Sequence, residues 1–155
     1  MANDGFNILK NIRSDQLPSP KGFGAKNYPR PAIGTVTSAE ILALTEAPKT
    51  LIAAPGAGNY VVVESAVFFN DFGETAYVGA GTLSVNYTDV DGDSVLSDLS
   101  ETGFLEAAAD VVVTLTPVAV IAVANAPVIL VANSSNPTTG DGVIKYEIVY
   151  RIVTF

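Results

Sequence analysis

The sequence predicts a mainly β protein, with an antiparallel β-sandwich or jelly-roll-like body, one short helix and an extended N-terminal arm. The chain of 155 residues is 48% hydrophobic and only 15% charged, and it is rich in Val, Ile and Thr, which favour strands. Several segments alternate apolar and polar side chains with a period of two. The N-terminal part also differs from the rest in charge and proline content. One domain is expected, because roughly 120 residues suffice to bury a core.

The arm, residues 1–36, is basic and rich in proline, and the body is assigned to residues 37–155. Residues 1–32 carry a net charge of +3 and residues 33–155 a net charge of −11. Four of the nine prolines lie in the arm, which predicts extended backbone. We expect the arm to order on a partner rather than to be a tail without function. Its predicted apolar anchors are Phe6, Ile8, Leu9, Ile12 and Leu17, and its predicted electrostatic guides are Lys10, Arg13, Lys21, Lys26 and Arg30.

Local patterns place the elements of the body. A short helix is predicted at residues 38–44, because Thr37 and Glu40 stand at the spacing of a capping box; a strand is the alternative there. Turn signals separate seven or eight strands. Those that can be located are predicted at residues 60–69, 82–88, 111–116, 118–124, 128–133 and 143–153. In the last of these, Ile144, Tyr146 and Ile148 share a face with Tyr150 and Ile152, which predicts a half-buried strand.

The apolar stretch at residues 117–132 is too short to span a membrane and is interrupted by Asn125 and Pro127. It predicts two strands joined by a tight turn at Asn125. Because neither strand alternates, both are expected to be buried on both faces. Part of this surface is therefore expected to pack against another subunit, in a homo-oligomer. The alternative is additional burial within one chain.

The side-chain inventory argues against an enzyme. The chain has no His and no Cys, so the usual Ser-His and Cys-His nucleophile systems and the imidazole or thiolate metal sites are unavailable. No phosphate-binding loop with its lysine is present. We therefore predict no catalytic residue, no cofactor and no metal ligand.

Two charged features have alternative interpretations. Asp89, Asp91 and Asp93 alternate as in a calcium loop, but Gly92 is misplaced for an EF-hand and no Glu closes it, so a hairpin turn is favoured. Calcium binding by these three residues stays open. The basic side chains of the arm are scattered and the body is acidic, so an acidic protein surface is the expected partner rather than nucleic acid.

Three segments carry a resemblance to a known class of protein. They are TSAEILALTEAPKTLIAAPGAGNYVVVESAVFF, GTLSVNYTD and the closing GDGVIKYEIVYRIV. Together they resemble small virion proteins of tailed bacteriophages that serve as head decoration, or cement, proteins. The resemblance covers about residues 37–153 and includes no catalytic signature.

This resemblance implies a virion structural protein on the outer capsid surface, made in the host cytoplasm. Its body would trimerise, bridge neighbouring major capsid proteins and stabilise the shell, with arms that latch adjacent molecules. The implied partners are the major capsid protein and further copies of the chain, with no nucleic acid and no membrane. The alternatives are a ligand-binding β-sandwich, for carbohydrate or calcium-dependent adhesion, and a tail-tube or baseplate component.

Overall fold

The computed structural model describes residues 28–155, which form two antiparallel sheets, and the predicted β-sandwich class is confirmed. The four-stranded sheet has the order β1-β7-β3-β5 and the three-stranded sheet the order β2-β6-β4. The predicted arm residues from Phe6 to Lys26 lie outside the described residues. The strands are β1 (Arg30–Val36), β2 (Lys49–Ile52), β3 (Asn59–Asp71), β4 (Leu83–Tyr87), β5 (Val111–Leu115), β6 (Val128–Ala132) and β7 (Val143–Thr154).

The strands β3 to β7 follow the predicted positions, because their side-chain patterns match their environment. In β7, Ile144, Tyr146 and Ile148 are buried, whereas Lys145 and Glu147 are exposed. β7 is central in its sheet and pairs with both β1 and β3. Its alternation therefore separates the core face of the four-stranded sheet from the outer face.

The helix α1 spans Ser38–Ile41 and begins with the predicted capping box. The Thr37 backbone N–H donates to Glu40 Oε2 at 2.9 Å, and the Glu40 N–H donates to Thr37 Oγ1 at 3.4 Å. The helix ends three residues before the predicted residue 44. The chain turns there because Leu44 is fully buried and the Thr45 N–H donates to Asn136 Oδ1 at 2.7 Å.

The carboxylate of Glu40 ties the helix to β2. A hydrogen bond from Lys49, followed by the backbone N–H of Thr37, lowers the pKa of Glu40 to about 2. A carboxyl group whose folded pKa lies below its ordinary pKa stabilises the fold at pH values above the ordinary pKa. This contribution is lost as the pH falls through the folded pKa. Because 38% of the Glu40 side chain is exposed, screening by solvent keeps the contribution small.

We therefore expect Glu40→Gln to lower the free energy of unfolding by about 0.5–1 kcal/mol at pH 7. The difference from the unmodified chain should shrink below about pH 4.5 and vanish near pH 2. Urea unfolding across this pH range measures it, with the exposed Glu74→Gln as the control for loss of charge. A difference that is constant with pH would contradict the role of the carboxylate.

The predicted strand at residues 118–124 is wrong. Residues 118–123 pair with no described strand; Ala124 makes an isolated bridge with Tyr60, and Pro117, just before the segment, makes one with Leu96. Ile121 is 83% exposed. The predicted burial on both faces does hold for the next segment, because every residue of β6 is buried.

Two strands, β1 and β2, lie outside the strands located by pattern. β1 occupies the last seven residues of the predicted arm and pairs with β7 from Arg30 to Val36. Pro31 is compatible with this position, because β1 is an edge strand and needs hydrogen bonds on one side only. The four-stranded sheet therefore begins at Arg30.

β3 contains a bulge that changes which residues face the core. Its pairing with β7 shifts register between Val63 and Ser65. Val61 and Val63 are buried before the bulge, whereas Ala66 and Phe68 are buried after it. The inward positions therefore change from odd to even numbers within one strand.

The buried polar side chains of β4 are hydrogen-bonded, as burial requires. Ser84 Oγ donates to Asp98 Oδ1 at 2.7 Å and accepts from Asn133 Nδ2 at 2.6 Å. Asn86 Nδ2 donates to the Val90 carbonyl at 3.0 Å. Within residues 28–155, no helix is long and apolar enough to cross a membrane.

Candidate interaction surfaces

A groove of about 380 Å³ runs along the outer face of the four-stranded sheet. We call it the outer-sheet groove. It follows β7, with β1 on one side and β3 on the other, because β7 lies between these strands. Its lining consists of Ile33, Gly34, Thr35, Val67, Phe69, Lys145, Tyr146 and Glu147.

The register brings apolar side chains from distant parts of the chain to the two sides of this groove. Ile33 of β1 and Val67 of β3 both pair with Glu147 of β7. Ile33 is 71% exposed, and Val112 on the neighbouring β5 is 64% exposed. Exposed apolar side chains that lie together on one face are typical of an interaction surface.

The two charged residues of the groove differ in their environment. Lys145 Nζ lies 5.6 Å from the centre of the Phe69 ring and 2.6 Å from Asp71 Oδ2. Lys145 is thus already paired at one end of the groove. Glu147 makes no salt bridge within residues 28–155. The groove therefore offers a carboxylate next to apolar walls, which suits a partner with a basic and apolar surface.

Beneath the groove, a glycine of β1 and a tyrosine of β7 pair in the sheet and lie in close contact. Gly34 pairs with Tyr146, and a Cβ atom at Gly34 would lie 2.5 Å from the Tyr146 hydroxyl. The absence of a side chain at Gly34 lets the Tyr146 ring lie against β1. Burial raises the pKa of Tyr146 above its ordinary value, so its hydroxyl stays neutral at physiological pH.

A second apolar surface is the segment 118–124, which we call the exposed strip. Val120 and Ala122 are half-buried against the core, whereas Ile121 and Val123 are exposed. The Val118 N–H donates to the Val95 carbonyl at 3.2 Å and holds one end of the strip. Apolar residues occupy both sides of the strip, which is why the sequence shows no alternation there.

The acidic segment at residues 89–93 forms the predicted turn. The Asp91 N–H donates to Asp89 Oδ1 at 3.2 Å, and the Gly92 N–H donates to the Asp89 carbonyl at 3.1 Å. The Tyr87 N–H donates to the Asp93 carbonyl at 3.1 Å. In the part of the chain that the structure describes, no group of three or more acidic side chains is placed to hold a metal ion.

Of the ten predicted partner-binding residues, Arg30 is the one that the structure describes. Its guanidinium lies over the ring of Tyr150, 5.1 Å from the ring centre. Nε and Nη2 are buried, and within residues 28–155 neither has a hydrogen-bond partner. Arg30 lies on the same, more buried side of β1 as Ala32, Gly34 and Val36. It is therefore not on the outer face that carries Ile33.

The residues of the outer-sheet groove were not predicted as a site. Ile33 and Thr35 lie in the region assigned to the arm, and Val67 and Phe69 lie in a strand predicted only as a structural element. The sequence feature that could have indicated the groove is a run of apolar residues on both faces of one strand, from Ala66 to Phe69. One face of such a run packs in the core, and the other needs a partner or stays exposed.

No protein-family model and no curated protein sequence matches the chain. The structure is similar to a solved one described as the cyanophage Pam1 capsid asymmetric unit, with 17% sequence identity and a TM-score of 0.48. The similarity covers 92% of this chain and 99% of that one. An identity and a TM-score this low do not show the family of the chain.

Proposed function

We propose that this protein is a structural component of a tailed-phage virion, which binds the outer surface of the assembled capsid and bridges neighbouring major capsid proteins. The observation that carries the proposal is the outer-sheet groove, where Ile33, Val67 and Phe69 form an open apolar surface beside Glu147. An open apolar surface of this kind supports contact with another protein. The resemblance of residues 37–153 to head decoration proteins agrees with it.

The stabilising mechanism follows from mass action. A protein that binds the assembled shell and not its separate subunits shifts the equilibrium towards the shell. If each copy touches two capsid subunits, the second contact forms at a high effective concentration once the first exists. Self-association through the exposed strip into a trimer is the arrangement we propose for further copies, because Ile121 and Val123 add uncharged apolar surface to an acidic body.

The arm supplies the second proposed contact with the capsid. Its five apolar anchors would pack on the partner, and Lys10, Arg13, Lys21 and Lys26 would steer the arm towards acidic surface. The outer-sheet groove and the arm then bind different capsid subunits. Such a two-point contact is what a bridging protein requires.

The position in the particle is tested on virions of the phage that encodes the chain. We expect peptide mass spectrometry to find the protein in many copies per virion, and cryo-electron microscopy to show its density on the outside of the head. Density confined to the tail, or absence from purified virions, would contradict the proposal.

The role of the arm is tested by a full-length variant in which Phe6, Ile8, Leu9, Ile12 and Leu17 are replaced by Ser. We expect head occupancy to fall about tenfold or more, because each anchor loses about 1.5–3 kcal/mol of burial if it packs fully. The heads should also release their DNA at a lower temperature. A matched control replaces the polar Asn7, Asn11 and Gln16 by Ser. Equal occupancy by both variants would remove the anchors from the mechanism.

A further inference from the structure

The strand β5 is an edge of the four-stranded sheet. Its partner strand among residues 28–155 is β3, which it meets from Asn70 to Ala66. Just beyond this ladder, the Ser97 N–H donates to the Thr116 carbonyl at 2.9 Å, and the Thr116 N–H donates to Ser97 Oγ at 3.3 Å. Both backbone groups of Thr116 therefore bond to Ser97 and not to β3.

The backbone of β5 leaves hydrogen-bonding groups unpaired on its free side. Alternate residues of an antiparallel strand direct their N–H and C=O groups to opposite neighbours. Val112 and Thr114 lie four and two residues before Thr116, so their backbone groups point away from β3 as well. Within residues 28–155, no strand or isolated bridge pairs with that side of either residue. β5 therefore offers two donors and two acceptors to a further strand.

The other three sheet edges carry the features that usually prevent the addition of a strand. β1 contains Pro31, and β2 is short, carries Lys49 and has an irregular register. The edge of β4 is covered, because Ser94 and Leu99 make isolated bridges with it. β5 contains no proline, no charged residue and no bulge. It is thus the edge of the described sheets that these features leave open.

A strand added beside β5 would extend the outer-sheet groove. Val112 pairs with Phe69, and Thr114 pairs with Val67, and these two β3 residues line the groove. Val112 and Thr114 are themselves exposed on the same outer face. An apolar side chain directly opposite Val112 on the added strand would form a cross-strand contact and continue the apolar surface of the groove.

The charge around β5 distinguishes between the strands that could be added. Asp110 lies at the start of β5, and its Oδ1 atom accepts from the Phe72 N–H at 3.0 Å, which holds the carboxylate at this end of the edge. Residues 50–144 contain eleven acidic residues and no basic residue. A second copy of β5 would bring like charges together, whereas a basic segment would be attracted.

We propose that β5 binds an extended segment of a partner protein as a fifth strand, and that this segment carries an apolar residue followed two positions later by Lys or Arg. In an antiparallel addition the apolar residue would lie opposite Val112 and the basic residue opposite Asp110. Main-chain hydrogen bonds supply the affinity of this mode of binding, and alternate side chains supply its specificity. If the proposed function holds, the segment belongs to a capsid protein.

The test uses the full chain, enriched in nitrogen-15, and the capped peptide KTTTVTK at low ionic strength. We expect saturable shifts and slower hydrogen exchange at the amides of Val112 and Thr114, which gain hydrogen bonds. The Val113 amide already bonds to β3 and should keep its exchange rate. The peptide ETTTVTE should bind about tenfold more weakly or worse, because its charges are repelled.

Modified peptides and protein variants test the backbone contact. Methylation of the peptide's valine nitrogen removes a bond to Val112 and should weaken binding about tenfold or more. Methylation of the preceding threonine nitrogen, which points away from β5, should leave it unchanged. Thr114→Pro removes a donor that the ladder with β3 does not use, so it should also weaken binding about tenfold. Thr114→Ala is its control, and the amide spectrum shows whether both variants are folded.

Several results would overturn the proposal. They are equal binding of the acidic peptide, no protection at Val112 and Thr114, and equal binding of the two methylated peptides. Protection of these amides that rises with protein concentration in the absence of peptide would show that a second copy is the occupant. All of these measurements are made in solution, so their failure is distinct from absence of the protein from the heads of virions.

Discussion

Replacement of Gly81 by alanine is expected to lower the free energy of unfolding by about 3 kcal/mol or more. A Cβ atom at Gly81 would lie 1.6 Å from the backbone oxygen of Asn133. The Gly81 N–H donates to the Ser135 carbonyl at 3.0 Å, and the Asn133 N–H donates to the Thr82 carbonyl at 2.8 Å. The substitution must push these two backbones apart, so it disrupts both hydrogen bonds beside β4 and β6.

Urea unfolding measures this effect, and Gly103→Ala is the matched control. A Cβ atom at Gly103 would make only ordinary contacts with Ser100, the nearest at 3.7 Å. That variant should change stability by less than about 1 kcal/mol. Similar midpoints for the two variants would contradict the close approach at Gly81.

Replacement of Phe68 by alanine is the second change with a large expected effect. Phe68 is fully buried and stacks on Tyr146 with ring centres 6.1 Å apart. Removing the ring leaves a cavity between β3 and the core, which should cost about 3–5 kcal/mol. Phe69 is the matched control, because it is the next residue of the same strand and lies in the outer-sheet groove.

We expect Phe69→Ala to lower the free energy of unfolding by about 1 kcal/mol or less. If the groove binds the capsid as proposed, the same variant should also reduce head occupancy although it stays folded. Unfolding in urea and occupancy of purified heads measure the two effects separately. A stability loss equal to that of Phe68→Ala would show that Phe69 belongs to the core and not to a binding surface.

The strands with one polar face could be predicted, because their pattern records their environment. β7 separates Ile144 and Ile148 from Lys145 and Glu147 along the chain. The capping box at Thr37 was similarly visible, since both of its residues lie within one helical turn. Local signals of this kind need no knowledge of distant neighbours.

The exposed strip could not be predicted from its pattern. Apolar residues on both sides of a segment occur in strands buried on two faces and also in segments with one exposed face. In β6 both sides are buried, whereas in the strip Ile121 and Val123 face outwards. The difference depends on which parts of the fold lie alongside each segment. That information depends on residues distant in sequence and is not contained in the local alternation of apolar and polar residues.

The outer-sheet groove is missed for the same reason. Its walls come from β1 and β3, which lie on either side of β7 only once all three strands pair in the sheet. β1 itself was hidden by Pro29 and Pro31, which indicate an arm until the pairing with β7 is known. Prolines at an edge strand and prolines in a linker have the same local signature.

The bulge of β3 also bears on how homologous chains could differ in length. Without Glu64, Val63 would precede Ser65 directly, and Val61, Val63, Ala66 and Phe68 would all fall on one face with a regular period of two. The loss would remove the ion pair between Glu64 and Arg151 but would turn no apolar residue outwards. Position 64 is therefore the place within β3 where evolution could insert or delete a single residue and preserve both faces of the sheet.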